Sequence, residues 1–222
     1  MIRCVAFDFD GTLVDSNQIK YEMFFDVISG SKGGVETLTT ILLSEPGDRF
    51  NVFSRFTELM PEALISDTPW QRELRVMALV AEYTRRCEDA VTMCLEFPGA
   101  GNLLVQLRQK GLITSIVSAT PTETLKVIIA KRGWGEMFHY VFGAPSTKYE
   151  NLRRLATATN LRPDEIVMVG DKQADRQAAD DFKCRFIAVA RPDNNFTTVP
   201  SCTITHLRQL LEILGQLTDS ST

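Results

Sequence analysis

Short apolar runs, rich in β-branched and aromatic residues, recur along the chain and predict buried strands. Each run ends in polar or small residues, which is typical of parallel strands that are covered on both faces. The four runs are IRCVAFD (residues 2–8), LITSIVS (112–118), EIVMVGD (165–171) and CRFIAVA (184–190).

Segments with helical spacing separate the last three of these runs and precede the second. Leu103 and Leu107 share one side of a segment that stops at Gly111, and Leu152 and Leu155 repeat the pattern before the third run. Such segments predict amphipathic helices that end at or near a glycine or asparagine. Because strands and helices alternate, we predict an α/β fold with a parallel sheet.

The interval between the first and second runs has a different pattern, with helical spacing and no convincing strand. Ile19, Met23 and Val27 lie on one side of a first helix, and QRELRVMALVAEYTRRCEDAVTMCLE (71–96) predicts a long second one. We therefore predict an α-helical domain inserted into the α/β domain. The predicted parts are a core of residues 1–15 and 98–222, a helical insert of residues 16–97, and a disordered tail at 218–222.

Composition and charge exclude several classes of function. The 222 residues are 44% hydrophobic and 23% charged, which is ordinary for a folded globular protein. A formal net charge of -4 does not indicate a basic surface that would bind nucleic acid or an anionic membrane. The chain has no run of about 18 apolar residues, and its first apolar run is too short for a signal peptide. We expect a cytoplasmic monomer or homodimer that binds neither nucleic acid nor membranes.

The cysteines indicate neither disulfides nor a thiolate zinc site. There are five of them, an odd number, and no two form a CxxC pair. We expect them to be reduced and mostly buried.

The first predicted strand ends in the sequence DFDGT, where two carboxylates follow apolar residues. Side chains alternate along a strand, so Asp8 and Asp10 project to the same side. Two carboxylates this close repel each other unless a cation or a shared proton relieves them. Gly11 permits a sharp turn close to a ligand, and Thr12 supplies a hydroxyl. The pattern indicates a site rather than an exposed acidic turn.

The third predicted strand ends in a second acidic group. Asp171 terminates this strand, and Asp175 lies one helical turn further on if a helix begins there. Ligands of open parallel sheets bind beyond the carboxyl ends of the strands, where these residues would meet Asp8 and Asp10. Several carboxylates favour a hard cation, and Mg²⁺ fits best.

Two weaker signals lie between these acidic groups. Ser118 ends the second strand, where its hydroxyl and the amide of Ala119 can hold a phosphate. An isolated serine there is more often a cap or turn residue, and an isolated lysine such as Lys148 is usually solvated. Their positions relative to the acidic groups make both of them candidates.

Taken together, these residues closely resemble the haloacid dehalogenase-like (HAD) hydrolase superfamily. Its four motifs occur in order as DFDGT at residues 8–12, Ser118, Lys148 and GDKQAD at 170–175. Connecting segments resemble the branch of phosphatases, including phosphoglycolate phosphatases, with a helical cap after the first motif. The resemblance implies a Rossmann-like core and a cap formed by the insert.

The resemblance also implies a role for each acidic residue. Asp8 would attack phosphorus and form an aspartyl-phosphate, and Asp10 would act as general acid and then general base. Mg²⁺ would be held by Asp8, the backbone carbonyl of Asp10, and Asp171, with Asp175 as an additional ligand. The presence of Asp10 argues against dehalogenase chemistry, since that branch typically lacks the second aspartate.

The phosphoryl group has its own set of implied contacts. Ser118 and Lys148 would bind its oxygens, assisted by the loop residues Gly11 and Thr12 and by Ala119. Many phosphatases have asparagine at the position of Ala119, and the sequence Ser-Ala is similar to that of sugar phosphomutases in the same superfamily. Lys148 is followed by Tyr149, where a Pro-x-Pro sequence is common.

The main hypothesis is a Mg²⁺-dependent phosphatase of a small phosphorylated metabolite, and three alternatives remain. A sugar phosphomutase could use the same intermediate. A phosphoacceptor signalling module or a non-catalytic binding protein is less favoured, because the acceptor position and the complete motif set argue against them. In the insert, Arg49 is the candidate for binding a substrate anion, since a guanidinium grips carboxylate or phosphate in a bidentate way.

Overall fold

The computed structural model describes residues 1–31, 33–44, 47–60 and 68–219, with side chains described through residue 216. Two compact units are present. One is formed by Met1–Ser16 together with the chain from Cys94 onward, and the other by Asn17–Met93. Of the predicted disordered tail at 218–222, residues 220–222 lie outside the described part, whereas the last helix continues through Asp219.

The first unit contains a parallel sheet, in which the first strand occupies a central position. In the described residues the strand order is β3-β2-β1-β4-β5-β6, and neighbouring strands pair in parallel. The strands are β1 (Cys4–Phe7), β2 (Ile113–Pro121), β3 (Tyr140–Ala144), β4 (Ile166–Gly170), β5 (Arg185–Val189) and β6 (Thr203–Ile204).

Helices connect the strands of this unit and cover the sheet. They are α5 (Ala100–Gln109), α6 (Thr122–Lys131), α7 (Lys148–Thr159), α8 (Gln173–Phe182) and α9 (Gln209–Asp219). All four residues of β1 are buried, and because side chains alternate along a strand, both faces of the sheet must be covered there. On one face Ala6 and Met168 pack with Leu152 of α7 and Ala179 of α8.

The described residues of the second unit form helices joined by turns and irregular segments, with no strand among them. Its helices are α1 (Asn17–Val27), α2 (Gly34–Ser44), α3 (Arg49–Leu59) and α4 (Pro69–Met93). A core of its own is built around Leu38, Phe53 and Tyr83, and the ring of Phe24 stacks on Tyr83 with centroids 4.3 Å apart. The prediction of an α/β fold with a parallel sheet and a helical insert is confirmed.

Two strands of the sheet were not predicted from the apolar runs. β3 and β6 are the outer strands, and β3 is mostly half-buried while β6 has two residues. An edge strand needs no continuous apolar run because one side has no neighbouring strand. Among the described residues, no helix is long and apolar enough to cross a lipid bilayer.

Candidate active site

The register of the three central strands places the candidate residues at one edge of the sheet. Phe7 pairs with Ile116 of β2 and with Val169 of β4, so the residues that follow these three positions lie toward the carboxyl edge of the sheet. The amide of Asp8 still donates to the carbonyl of Val169 at 2.8 Å, whereas Asp171 begins the turn after β4. The sheet therefore supplies the juxtaposition that the sequence predicts.

Three carboxylates meet there in a buried group. Asp8, Asp171 and Asp175 each offer an oxygen atom within 4.8 Å of the others, and none of them is more than 4% exposed. Gly170 makes this approach possible, since a Cβ at that position would lie 2.4 Å from Cγ of Asp175. The group has the hard oxygen donors that divalent cations such as Mg²⁺ prefer.

Lys148 contacts two members of this group. Its Nζ lies 3.0 Å from Oδ2 of Asp8 and also donates to Oδ1 of Asp175, and its side chain is only 12% exposed. Lys148 is the first residue of α7, whose start is fixed by a reciprocal capping arrangement between Thr147 and Glu150. The capped start of α7 thus places the side chain of Lys148 against the acidic group.

Burial and mutual repulsion set the charge states here. Burial, and then the Asp175 carboxylate, raise the pKa of Asp8 to about 6, while Lys148 opposes that increase. Burial also raises the pKa of Asp175. Burial alone would lower the pKa of Lys148, but Asp175 and Asp8 raise it above its ordinary value. Three buried carboxylates thus lie beside the largely buried ammonium of Lys148. A second ammonium, that of the partly exposed Lys172, lies 3.8 Å from the carboxylate of Asp171.

This charge balance predicts a pH-dependent stabilisation by divalent cations. Because the pKa of Asp8 is raised, the metal-free folded protein retains a proton that the unfolded chain loses, so its stability falls as pH rises from about 4 to about 6. A bound cation replaces that proton. We expect Mg²⁺ to raise the melting temperature relative to EDTA by more at pH 7.5 than at pH 5.

Thermal denaturation at the two pH values measures this difference. The Asp164→Asn variant is the control, because Asp164 is exposed and pairs with the exposed Arg162 at the surface, and it should reproduce the parent response. An equal melting temperature with Mg²⁺ and with EDTA at pH 7.5 would contradict the prediction.

Asp10 accepts hydrogen bonds from two hydroxyls outside the acidic group. Ser16 Oγ donates to Oδ1 of Asp10 at 2.6 Å, and Thr120 Oγ1 donates to Oδ2 at 2.7 Å. The carboxylate of Asp10 is not one of the three clustered carboxylates, so a metal contact from this residue would come from its backbone carbonyl, as the family resemblance implies. Ser16 and Thr120 were both missed in the sequence. The one available signal is the two-residue spacing of Thr120 from Ser118, which puts both on one side of β2.

The predicted phosphate-binding residues lie in the turns around this edge. Gly11 has a φ of 74°, the left-handed conformation that favours glycine. The hydroxyl of Thr12 donates to Oδ1 of Asp171 at 2.9 Å. Ser118 is buried near the end of β2, where its Oγ accepts from the amide of Thr120, and Ala119 is exposed. Their contact with phosphate stays a prediction.

Arg49 lies in the other unit, as the first residue of α3. Its guanidinium lies over the ring of Phe50, 5.8 Å from the centroid, and among the described residues its buried Nε has no hydrogen-bond partner. The predicted contact of Arg49 with a substrate anion is not tested by these observations.

Comparison with known proteins identifies the family. The model of the family "Haloacid dehalogenase-like hydrolase" matches residues 5–189. The chain belongs to the haloacid dehalogenase-like hydrolase family. The matched residues include all four motifs, so the predicted resemblance is confirmed.

Relatives of this HAD-family chain are phosphatases. It is 26% identical over 192 residues to phosphoglycolate phosphatase of Synechococcus elongatus, covering 80% of this chain and 79% of the relative. It is 24% identical over 234 aligned positions to glyceraldehyde 3-phosphate phosphatase of Pyrococcus furiosus, covering 96% and 93%. The prediction of an enzyme of the HAD-like phosphatase type is confirmed.

A solved structure agrees with the fold. β-Phosphoglucomutase from Clostridium difficile superposes with a TM-score of 0.74 at 17% identity, covering 100% of this chain and 99% of that one. At this identity the likeness shows the fold alone.

Proposed function

We propose that the chain is a Mg²⁺-dependent phosphatase that hydrolyses a small phosphorylated metabolite through an aspartyl-phosphate on Asp8. One observation carries the proposal. Asp8 lies at the carboxyl end of the central strand, in contact with Lys148 and beside the carboxylates of Asp171 and Asp175. The proposed nucleophile, the ammonium of Lys148 and a group of carboxylates that could hold a cation therefore lie together.

In the first step, an Asp8 carboxylate oxygen attacks phosphorus and the bond from phosphorus to the leaving oxygen breaks. Oδ2 of Asp8 contacts Lys148 and Oδ1 accepts from the amide of Phe9, so the carboxylate has a fixed orientation. In-line positioning of this kind is the main requirement of phosphoryl transfer.

Asp10 would supply the proton to the leaving oxygen and then accept one from the water that hydrolyses the aspartyl-phosphate. Its carboxylate accepts from the hydroxyls of Ser16 and Thr120 and is not one of the three clustered carboxylates. The two aspartates of DFDGT thus have different surroundings, which supports their different proposed roles.

The developing negative charge on phosphorus needs fixed positive charge and donors. Lys148 and the hydroxyl and amides at Ser118 and Ala119 are the proposed contacts to the phosphoryl oxygens. Mg²⁺, held by Asp8, the Asp10 carbonyl, Asp171 and Asp175, would neutralise phosphoryl charge when bound. The raised pKa values of Asp8 and Asp175 fit such a cation site. Burial and neighbouring carboxylates disfavour the charged form of both side chains in the metal-free protein, and a bound cation would favour it.

The relatives suggest the size of the substrate. Phosphoglycolate and glyceraldehyde 3-phosphate, named for the relatives, are phosphate esters of two and three carbons. We propose a substrate of similar size.

A panel of phosphate esters tests the proposal. Phosphate release would be measured with Mg²⁺ for two- and three-carbon phosphorylated acids and aldehydes, for hexose phosphates and for an aryl phosphate. We expect the highest kcat/KM within the two- and three-carbon group. A preference for hexose phosphates would contradict the proposed substrate class, and no turnover of any ester would contradict the phosphatase.

A phosphomutase is the second candidate because Ser118 is followed by Ala119, as in the sugar phosphomutases that the sequence resembles. The same aspartyl-phosphate would then return its phosphoryl group to a sugar hydroxyl. Following the hexose phosphate arm by ³¹P NMR distinguishes the two, since isomerisation without net phosphate release identifies a mutase.

A further inference from the structure

The turn after β5 binds two loops of the candidate active site at once. This turn, Ala190–Asn194, follows the strand that lies next to β4, and it contains no residue of the four motifs. Arg191 reaches the loop after β1, and Asn194 reaches the loop after β4.

The side chain of Arg191 donates hydrogen bonds to backbone carbonyls of the loop after β1. Nε of Arg191 donates to the carbonyl of Gly11 at 2.8 Å, and one terminal nitrogen donates to the carbonyl of Thr12 at 3.4 Å. Gly11 is in the left-handed conformation directly after Asp10. The orientation of these two peptide planes determines where the chain turns after the catalytic aspartates.

Phe97 covers the other side of the same guanidinium. The guanidinium carbon lies 3.4 Å from the centroid of the Phe97 ring. The amide of Phe97 in turn donates to the carbonyl of Leu13 at 3.0 Å. Arg191 is thus enclosed by the loop after β1 and by the segment paired with it, which suits a planar group that both stacks and donates.

Asn194 makes the corresponding contact with the loop after β4. Its side-chain amide donates to the backbone carbonyl of Asp171 at 2.6 Å. Its side-chain oxygen accepts from the amide of Arg191 at 2.9 Å. Because this hydrogen bond joins Arg191 and Asn194 within one short turn, a shift of either residue should also shift the other.

We propose that Arg191 and Asn194 are positioning residues that hold the loop of Asp10 and the loop of Asp171 in a fixed relation to each other. The inference rests on the proposed function, which places general acid–base chemistry on one loop and cation binding on the other. Neither side chain needs to touch substrate. Because misplacement of reacting groups by about 1 Å can cost about 10²-fold in rate, the loss should appear in kcat.

The test compares Arg191→Lys, Arg191→Ala and Asn194→Ala with the parent chain. Lysine keeps the charge but loses the planar fork that spans two carbonyls and stacks on Phe97. We expect kcat to fall about tenfold to about 100-fold in all three variants, with KM changed less than about threefold. Added methylguanidinium should restore part of the kcat of Arg191→Ala.

Arg176→Lys is the matched control. Arg176 also donates from its guanidinium to a backbone carbonyl, that of Thr198, in the same connection between β5 and β6. Among the described residues, its guanidinium contacts Thr198 and the carboxylate of Asp180 rather than the loops after β1 and β4. We expect its kcat and KM to stay within about twofold of the parent values.

Amide hydrogen exchange of the metal-free protein gives a readout that needs no turnover. We expect faster exchange at Gly11, Leu13 and Val14 in both Arg191 variants, whereas Arg176→Lys should match the parent. Unchanged exchange at these amides overturns the inference, whether or not the chain hydrolyses any ester. A folded Arg191→Ala variant with parental kcat, or one with raised KM alone, overturns it as well. An inactive parent chain would contradict the proposed function and leave the exchange result decisive for Arg191.

Discussion

Replacing Asp8 with asparagine is expected to abolish turnover while leaving the metal-free protein at least as stable as the parent. The change keeps the shape of the side chain but removes the nucleophilic oxygen, so kcat should fall by roughly 10⁴-fold or more. It also removes one of three clustered buried carboxylates. Because burial and Asp175 raise the pKa of Asp8 to about 6, the charged form destabilises the metal-free fold at neutral pH, and asparagine relieves this cost.

Two measurements on the same sample separate chemistry from folding. Phosphate release from the best ester of the panel gives kcat, and thermal denaturation with EDTA at pH 7.5 gives stability. Asp15→Asn is the matched control, since Asp15 is exposed and lies in the same loop, and we expect parental turnover from it. Undiminished kcat in Asp8→Asn would refute the proposed nucleophile.

The positions of the site residues that directly follow strands could be predicted from the sequence. Asp8 and Asp171 each follow an unbroken apolar run, and runs of that kind form the central strands of a parallel sheet. Central strands that lie side by side bring their carboxyl ends together. The juxtaposition of Asp8 with Asp171 thus follows from hydrophobic pattern and topology alone.

Other contacts of the site depend on geometry that no local pattern encodes. The isolated Lys148 became a candidate only through its position among the motifs, and the structure places its ammonium beside Asp8. Thr120 and Arg191 were not predicted at all. A strand-end threonine and a loop arginine are usually solvated or pair locally, and which carboxylate or carbonyl they meet depends on the sheet order and on the path of distant loops.

Edge strands escaped prediction for a related reason. β3 has the sequence YVFGA, in which the aromatic residues are half-buried and Gly143 is the one fully buried residue. Gly143 lies so close to β2 that a Cβ would be 2.1 Å from the carbonyl oxygen of Thr120. Glycine is therefore needed at this position because the backbones of β2 and β3 approach each other closely, and a hydrophobic pattern does not reveal that need.

Replacing Lys148 with methionine is the second change with a large expected effect, and it should destabilise the fold as well as impair catalysis. The ammonium of Lys148, whose side chain is 12% exposed, contacts the carboxylates of both Asp8 and Asp175. Without it the two carboxylates face each other uncompensated in a buried site, which costs about 3–5 kcal/mol when both are charged. Loss of a fixed charge at the phosphoryl group should lower kcat by about 10²- to 10³-fold.

The pH dependence of that destabilisation identifies its cause. Lys148 lowers the pKa of Asp8 and of Asp175, so both pKa values should rise further in the variant, and the carboxylates should take up protons as pH falls. Denaturant unfolding with EDTA should then show a large loss of stability at pH 8 and a smaller one at pH 5. Lys126→Met is the control, because Lys126 is exposed and pairs with the exposed Glu123, so its loss should cost less than about 1 kcal/mol at either pH. An equal loss for Lys148→Met at both pH values would mean that the lysine contributes packing rather than charge, and the proposed electrostatic role would then be wrong.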